Sequence, residues 1–167
     1  MQEEWLNARG AIARFDRNTI EIRLLDVQEC PAADMAICTA IVQVMEAMIE
    51  EAWCDADRQK IWETAPLAEV LSETTRYAEE AIIRNRVYPE AFGFPEGGMC
   101  KARDLWQHII ESLPPPEGGW GAVARILEQG TLGSRIIRAL RGDYSHEKIL
   151  TEYEKLCRCL EEGTLYE

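Results

Sequence analysis

A glutamate and an arginine two positions apart, Glu21 and Arg23, are the residues of this sequence best placed to do chemistry together. They lie in the stretch 18–28, where polar and apolar residues alternate before an apolar run. Side chains two positions apart in a β-strand point to the same face, so a half-buried strand here places the carboxylate beside the guanidinium. A carboxylate can hold a hard cation such as Mg²⁺, and an arginine can bind a phosphate or carboxylate through two hydrogen bonds.

The same two residues also have a purely structural interpretation. An ion pair on a sheet surface is common and contributes little to stability. Arg14 and Arg9 could add positive charge near a nucleotide, and Arg14 could instead pair with Glu21 across a hairpin. Asp26 and Gln28 end the strand and could line the same cleft, although Asp26 alternates onto the other face, which favours a strand-end hydrogen bond.

A β-hairpin over residues 10–26 is predicted to position these side chains. Residues 10–15 form its first strand, and a polar turn at 16–18 leads into the strand that carries the pair. Trp5 and Leu6 are expected to pack just ahead of it. A lone hairpin is marginally stable in water, so this one must pack on a helix, on another chain or on a larger sheet.

The rest of the chain has the three- and four-residue apolar spacing of amphipathic helices. It predicts about six helices, over roughly 32–55, 64–85, 101–113, 120–129, 133–141 and 146–162, with a short helical segment at 57–62 and a loop at 86–100. The core-facing stripe of the first helix is predicted to be Met35, Cys38, Ile41, Val42, Met45, Met48, Ile49 and Trp53. The fold class is therefore α+β, mostly α: a hairpin at 1–30 and a helical bundle at 31–167, in one structural domain.

The composition and net charge of the chain limit the kinds of molecule that it is expected to bind. The 167 residues carry a formal net charge of −12, which argues against nucleic acid and anionic membranes as partners, while a local arginine and a metal can still bind ATP. No uninterrupted run of 18 apolar residues is present, so no membrane span is expected. The N-terminus has no secretory pattern, so we expect a cytoplasmic protein.

Other chemically capable residues have simpler interpretations. Six cysteines form no Cys-x-x-Cys pair and predict free thiols, with Cys38 and Cys54 as small core residues. Two histidines are isolated in the sequence. The two Gly-Gly loops lack the phosphate-binding glycine patterns and are explained by turn chemistry.

Three runs of the sequence carry a family resemblance. They are Asn-Ala-Arg-Gly-Ala at 7–11, Arg-Phe-Asp-Arg at 14–17 and Thr-Ile-Glu-Ile-Arg-Leu-Leu-Asp-Val-Gln at 19–28. Together they resemble the C-terminal part of the glutamate–cysteine ligases, in particular the bacterial branch whose relatives are called carboxylate–amine ligases. The resemblance is densest over 5–37 and continues weakly to the end of the chain.

The resemblance implies a fold related to glutamine synthetase and a role for each residue of the strand. Glu21 is the implied Mg²⁺ ligand at the phosphates of ATP, and Arg23 is the implied catalytic and ATP-binding residue. Arg14 is predicted as a second ATP-binding cation from its charge beside this strand, and not from the resemblance. The implied reaction joins glutamate, through an acyl phosphate, to cysteine or another amine, the step that makes γ-glutamylcysteine for glutathione biosynthesis. Family members are much longer, so most of their sheet is expected upstream of Met1 and this chain alone is expected to be inactive.

The alternative is a non-catalytic helical interaction module. It would form a homodimer through the hairpin or the long helix, because an edge strand carrying Ile20, Ile22 and Leu24 is a template for pairing with another chain.

Overall fold

The computed structural model describes residues 10–95 and 98–167, and the expectations for Trp5, Leu6 and Arg9 fall outside them. Within these ranges the chain forms eight α-helices and two separate two-stranded antiparallel sheets. Helix accounts for 58% of the structure. The predicted class, α+β and mostly α with an N-terminal hairpin, is confirmed.

The elements follow one another along the chain as strands β1 and β2, helices α1 to α3, strand β3, helix α4, strand β4 and helices α5 to α8. Their bounds are β1 Ala11–Arg14, β2 Thr19–Ile22, α1 Pro31–Ile49, α2 Ala56–Lys60, α3 Thr64–Tyr77, β3 Ile82–Ile83, α4 Val87–Glu90, β4 Cys100–Lys101, α5 Ala102–Ser112, α6 Gly121–Gln129, α7 Leu132–Leu140 and α8 His146–Glu162.

The hairpin is shorter than predicted. Arg14 is opposite Thr19, so the loop spans 15–18 and includes Phe15, which was predicted to lie in the first strand. Asn18 has φ 51°, a left-handed conformation that asparagine tolerates better than most residues. The turn therefore forms where predicted, with one more residue in it.

Helix α1 buries a different face from the one predicted. Ala33, Ala40 and Ala47 are buried, at a spacing of seven residues, and the first two pack against α6. Met35 is 65% exposed and Ile49 77% exposed, and Cys38 and Val42 are exposed too, so the predicted core stripe was wrong at these four positions. Its other four members are half-buried, and one of them, Trp53, packs against the main core. Small side chains let two helices approach closely, and that close contact decided the buried face. Cys54 is buried as predicted, whereas Cys38 is exposed.

Two predicted helix ends were also wrong. Helix α1 stops at Ile49 rather than near 55, and Glu51 just beyond it has φ 56°. Helix α3 stops at Tyr77 rather than near 85, because Ala78 has φ 47°, which no α-helix accommodates. After a 3₁₀ turn over Ala78–Glu80, strand β3 pairs with β4, where a helix and a loop were predicted. This small sheet closes over the main core, which includes Leu105 and Ile109 of α5.

The carboxylate of Glu79 fixes the start of α7. It accepts hydrogen bonds from the backbone N–H of Thr131 (3.3 Å) and from the hydroxyls of Thr131 (3.2 Å) and Ser134 (2.9 Å). Burial acts to raise the pKa of Glu79, but these hydrogen bonds and one from its own backbone outweigh it, so the pKa lies below its usual value. Gly130 has φ 92°, and a β-carbon there would collide with this carboxylate. Glycine at 130 is therefore required by both backbone and space.

One described helix, α1, is long and apolar enough to cross a membrane by length and composition alone, with a mean hydropathy of 1.5. The absence of an unbroken apolar run therefore did not exclude such a helix. Only 22% of this apolar stretch is buried inside the structure, where its alanine face packs against α6.

Candidate functional site

The polar face of the hairpin brings Glu21 between two arginines. Arg23 Nε donates to Glu21 Oε1 at 2.9 Å, and Arg14 Nη1 donates to Glu21 Oε2 at 3.4 Å. The strand register places Glu21 opposite Ile12 and Arg14 opposite Thr19. Arg14 therefore reaches Glu21 diagonally across the hairpin rather than from the directly opposed position.

This charged face is the better covered side of the hairpin. The side chains of Arg23 and Arg14 are 15% and 22% exposed, and that of Glu21 is 39% exposed. On the other face, Ile20 is 53% and Leu24 52% exposed. The hairpin thus shields its arginines and leaves its aliphatic residues in solvent, the reverse of an ordinary amphipathic strand.

Among the described residues two guanidinium groups and two carboxylates meet here, because Arg14 Nε also pairs with Asp16 at 3.4 Å. Guanidinium groups of this kind can bind a phosphate or a carboxylate through two hydrogen bonds. Among residues 10–95 and 98–167, no group of three or more His, Cys, Asp or Glu side chains could hold a metal ion. A Mg²⁺ ion at Glu21 would take one protein oxygen here and its other ligands from a bound phosphate, from water or from other protein groups, and Mg²⁺ commonly binds in this way. The residues therefore fit one edge of a magnesium–phosphate site.

The residues that follow β2 fix the exit of the strand. Gln28 donates its side-chain amide to the carbonyl of Asp26 (3.0 Å), and its backbone N–H donates to the carboxylate of Asp34 (3.0 Å). Asp26 and Gln28 thus hold the connection to α1, in line with a strand-end role.

Sequence reasoning missed a network of buried charges at the other end of the chain. Arg135 donates to Glu29 Oε1 (2.8 Å) and to the carbonyls of Tyr166 (2.7 Å) and Gly130 (3.3 Å). The side chains of Arg135 and Glu29 are only 4% and 1% exposed. Because 106 positions separate the two residues, no local spacing could have revealed this pair.

Glu152 is the second buried carboxylate of this network. It accepts from Lys148 (2.6 Å), Lys155 (2.8 Å) and the hydroxyl of Tyr166 (2.7 Å). These hydrogen bonds, led by that from Lys148, lower the pKa of Glu152 to about 2. Burial, and then the bond to Glu152, raise the pKa of Tyr166. The i,i+3 and i,i+4 spacing of Glu152 and its lysines on α8 was the one signal in the sequence for this cluster.

An open cleft of about 540 Å³ lies beside this network, between α7 and α8. Five cationic side chains line it: Arg135, Arg138, Arg141, Lys148 and Lys155. Its acidic lining residues are Glu152 and Glu167. None of the three predicted site residues of the hairpin lines this cleft, so the two charged regions are separate.

Comparison with known proteins finds a similar but longer chain. An uncharacterized protein of Archaeoglobus fulgidus is 30% identical over 164 residues, which are 98% of this chain. The chain spans only 38% of the length of that relative. No protein-family model matches the sequence. No solved structure matches it.

Proposed function

We propose that this chain forms part of the phosphate-binding edge of an ATP-dependent carboxylate–amine ligase resembling glutamate–cysteine ligase. The observation that carries the proposal is the Arg14–Glu21–Arg23 cluster on the covered face of the hairpin. A carboxylate between two arginines offers one Mg²⁺ ligand and two guanidinium groups of the kind that bind a phosphoryl group, and this supports the proposal.

The proposed roles follow from the contacts. Arg23, the less exposed arginine, binds and neutralises the phosphoryl group, and its hydrogen bond to Glu21 sets its orientation. Arg14 binds the nucleotide beside it, and Glu21 offers the metal its partly exposed carboxylate. Bound Mg·ATP would supply the phosphoryl group that activates glutamate toward cysteine or another amine.

The exposed aliphatic back of the hairpin supports a longer assembly. Ile20, Ile22 and Leu24 are exposed on a two-stranded sheet, and in a ligase of this type they would be covered by further strands. The archaeal relative extends well beyond the aligned region, so room exists there for such strands. We therefore expect this chain alone to bind Mg·ATP weakly and to form no product.

A cytoplasmic location is part of the proposal. All six cysteines are free thiols, and two of them, Cys38 and Cys157, are exposed. Free exposed thiols are typical of proteins from a reducing compartment.

Mg·ATP titration of the intact chain by calorimetry tests the proposed site. Arg23→Ala removes a charge-assisted contact to phosphate, so we expect binding to weaken roughly tenfold or more. Glu21→Gln should weaken the dependence of binding on Mg²⁺ more than it weakens binding of ATP without metal. The matched control is Arg17→Ala, which removes one arginine from the same hairpin at its exposed loop, where the side chain is 70% exposed.

The proposal fails if the intact chain shows no Mg·ATP binding at millimolar concentration, or if Arg17→Ala weakens binding as much as Arg23→Ala. ATP- and glutamate-dependent phosphate release by the pure chain would contradict the expectation that it is incomplete by itself.

A second function, a non-catalytic homodimerisation module, is favoured by the same exposed aliphatic face. Ile22, at the centre of that face, is 37% exposed although isoleucine is usually buried. Pairing of two hairpins through this face or their edges would give a symmetric dimer. Light scattering across a concentration series tests it: a dimer that Ile22→Lys converts to a monomer supports this function, and a strict monomer rejects it.

A further inference from the structure

The cleft between α7 and α8 concentrates positive charge in an acidic protein. The net charge of the chain is −12, yet five of the cleft's charged lining residues are cationic and two are acidic. Elsewhere many described cations pair with carboxylates; Lys101 and Arg103, for example, both bind Glu80. The cleft is therefore a place where positive charge exceeds negative charge locally.

Internal pairing accounts for only part of this charge. Arg135 is matched by the buried Glu29, and Glu152 requires one of its two lysines. Glu167 points to Arg125 outside the cleft, at 4.0 Å, and is 87% exposed. One lysine and the two arginines at 138 and 141 thus remain in excess of the carboxylates.

The cations in excess still have N–H groups that can donate hydrogen bonds to a ligand. Arg138 gives one N–H to the carbonyl of Gln129 at 2.9 Å, which leaves most of its five N–H groups for another acceptor. Arg141 follows α7 in a left-handed conformation, and its side chain makes no hydrogen bond or ion pair with any residue among 10–95 and 98–167. Lys148 and Lys155 are 30% and 42% exposed, so their ammonium groups can still contact solvent or a ligand.

We propose that this cleft binds a small, multiply charged phosphate anion, with Arg138 and Arg141 as its main ligands and Lys148 and Lys155 as supporting cations. Arginine suits phosphate because its planar fork matches two phosphate oxygens. A volume of about 540 Å³ lies within the range of small-molecule sites and accommodates a diphosphate with its remaining water. Glu152 holds the two lysines at the cleft wall and stays ionised, so it limits the number of negative charges that the site tolerates.

Pyrophosphate is the probe, with the intact chain as the protein. Calorimetry should detect binding that weakens as salt is added, since the contact is electrostatic. Arg138→Gln combined with Arg141→Gln should weaken it roughly tenfold or more, because two charge-assisted contacts are lost. The matched control is Arg58→Gln combined with Arg84→Gln, which removes two exposed arginines (53% and 62% exposed) away from the cleft.

Each outcome decides the proposal. Pyrophosphate binding that only the cleft variant weakens supports it, and a circular dichroism spectrum like that of the parent shows that this variant is folded. Absence of pyrophosphate binding by the parent, equal weakening by both double variants, or equally tight binding of succinate overturns it.

Discussion

The buried pair of Glu29 and Arg135 should be the most sensitive point of the fold. Arg135 joins three separate segments: the connection before α1 at Glu29, the loop before α7 and the C-terminal segment at Tyr166. Replacing Arg135 by Met leaves the Glu29 carboxylate buried without its cation, which costs about 3–5 kcal/mol of the free energy of unfolding. The Tyr166 and Gly130 carbonyls also lose a donor, so the total should lie near the top of that range.

A double-mutant cycle separates the pair from its surroundings. Glu29→Met alone leaves the guanidinium buried without its counter-ion and should also destabilise by about 3 kcal/mol. The double variant removes both charges, so its loss should be smaller than the sum of the two single losses by about 2–4 kcal/mol. Oε2 of Glu29 is buried and accepts no hydrogen bond from residues 10–95 or 98–167. An unpartnered buried acceptor is destabilising, and the double variant removes it.

Urea unfolding followed by circular dichroism measures these differences, at two protein concentrations to detect any contribution from association. Arg125→Met is the matched control, because Arg125 pairs with the exposed Glu167 at 4.0 Å and should cost about 0–1 kcal/mol. Strictly additive losses, or a loss for Arg135→Met as small as that of the control, would refute the reasoning that this pair is buried and coupled.

Three further predictions concern single positions. The pKa of Glu152 is lowered from its ordinary 4.5 to about 2, so the ionised carboxylate stabilises the fold above about pH 4.5. This stabilisation is lost as the pH falls toward 2. The free energy of unfolding, measured across this pH range, should therefore decrease by ~1–3 kcal/mol in the parent protein, and Glu152→Gln should lack this decrease. Gly130→Ala should lower the melting temperature, by the equivalent of ~1–3 kcal/mol, whereas Gly133→Ala, which meets nothing within 4 Å in helix α7, should not lower it. Ala40→Leu should destabilise by about 1–3 kcal/mol, because Ala40 is 3% exposed, while Val42→Leu on the exposed face of α1 should change chemical stability by less than about 0.5 kcal/mol.

The sequence was informative wherever a local rule determined the structure. The two-residue period of a strand was enough to place Glu21 beside Arg23, and their hydrogen bond confirms that geometry. Ser145 caps the last helix and Gly163 ends it in a left-handed conformation, both as their residue types predict. These features depend on neighbours within a few positions, which a sequence shows directly.

Prediction failed where distant segments compete for the same element. The three- and four-residue spacing of apolar residues predicted the buried face of α1, but close packing against α6 buries the face that carries three alanines instead. The apolar spacing typical of a helix also continued through Ile82, yet this residue lies in strand β3, where it pairs with Lys101 of β4. The diagonal approach of Arg14 to Glu21 followed from a register that the turn length decides, and one extra residue in the loop changed it.

The two proposed functions of the hairpin differ in what covers its aliphatic face. Ile20 and Leu24 on this face are both at least half exposed. Burying such side chains is worth about 1.5–3 kcal/mol each, so a surface of this kind favours a partner. In the ligase proposal the cover is a larger sheet, and the charged face stays open to a nucleotide. In the dimer proposal the cover is a second copy, and the Arg–Glu cluster only links the two strands. A hairpin variant that abolishes dimerisation but preserves Mg·ATP binding would therefore assign the two faces to separate tasks, and loss of both together would show that the charged face depends on the covered one.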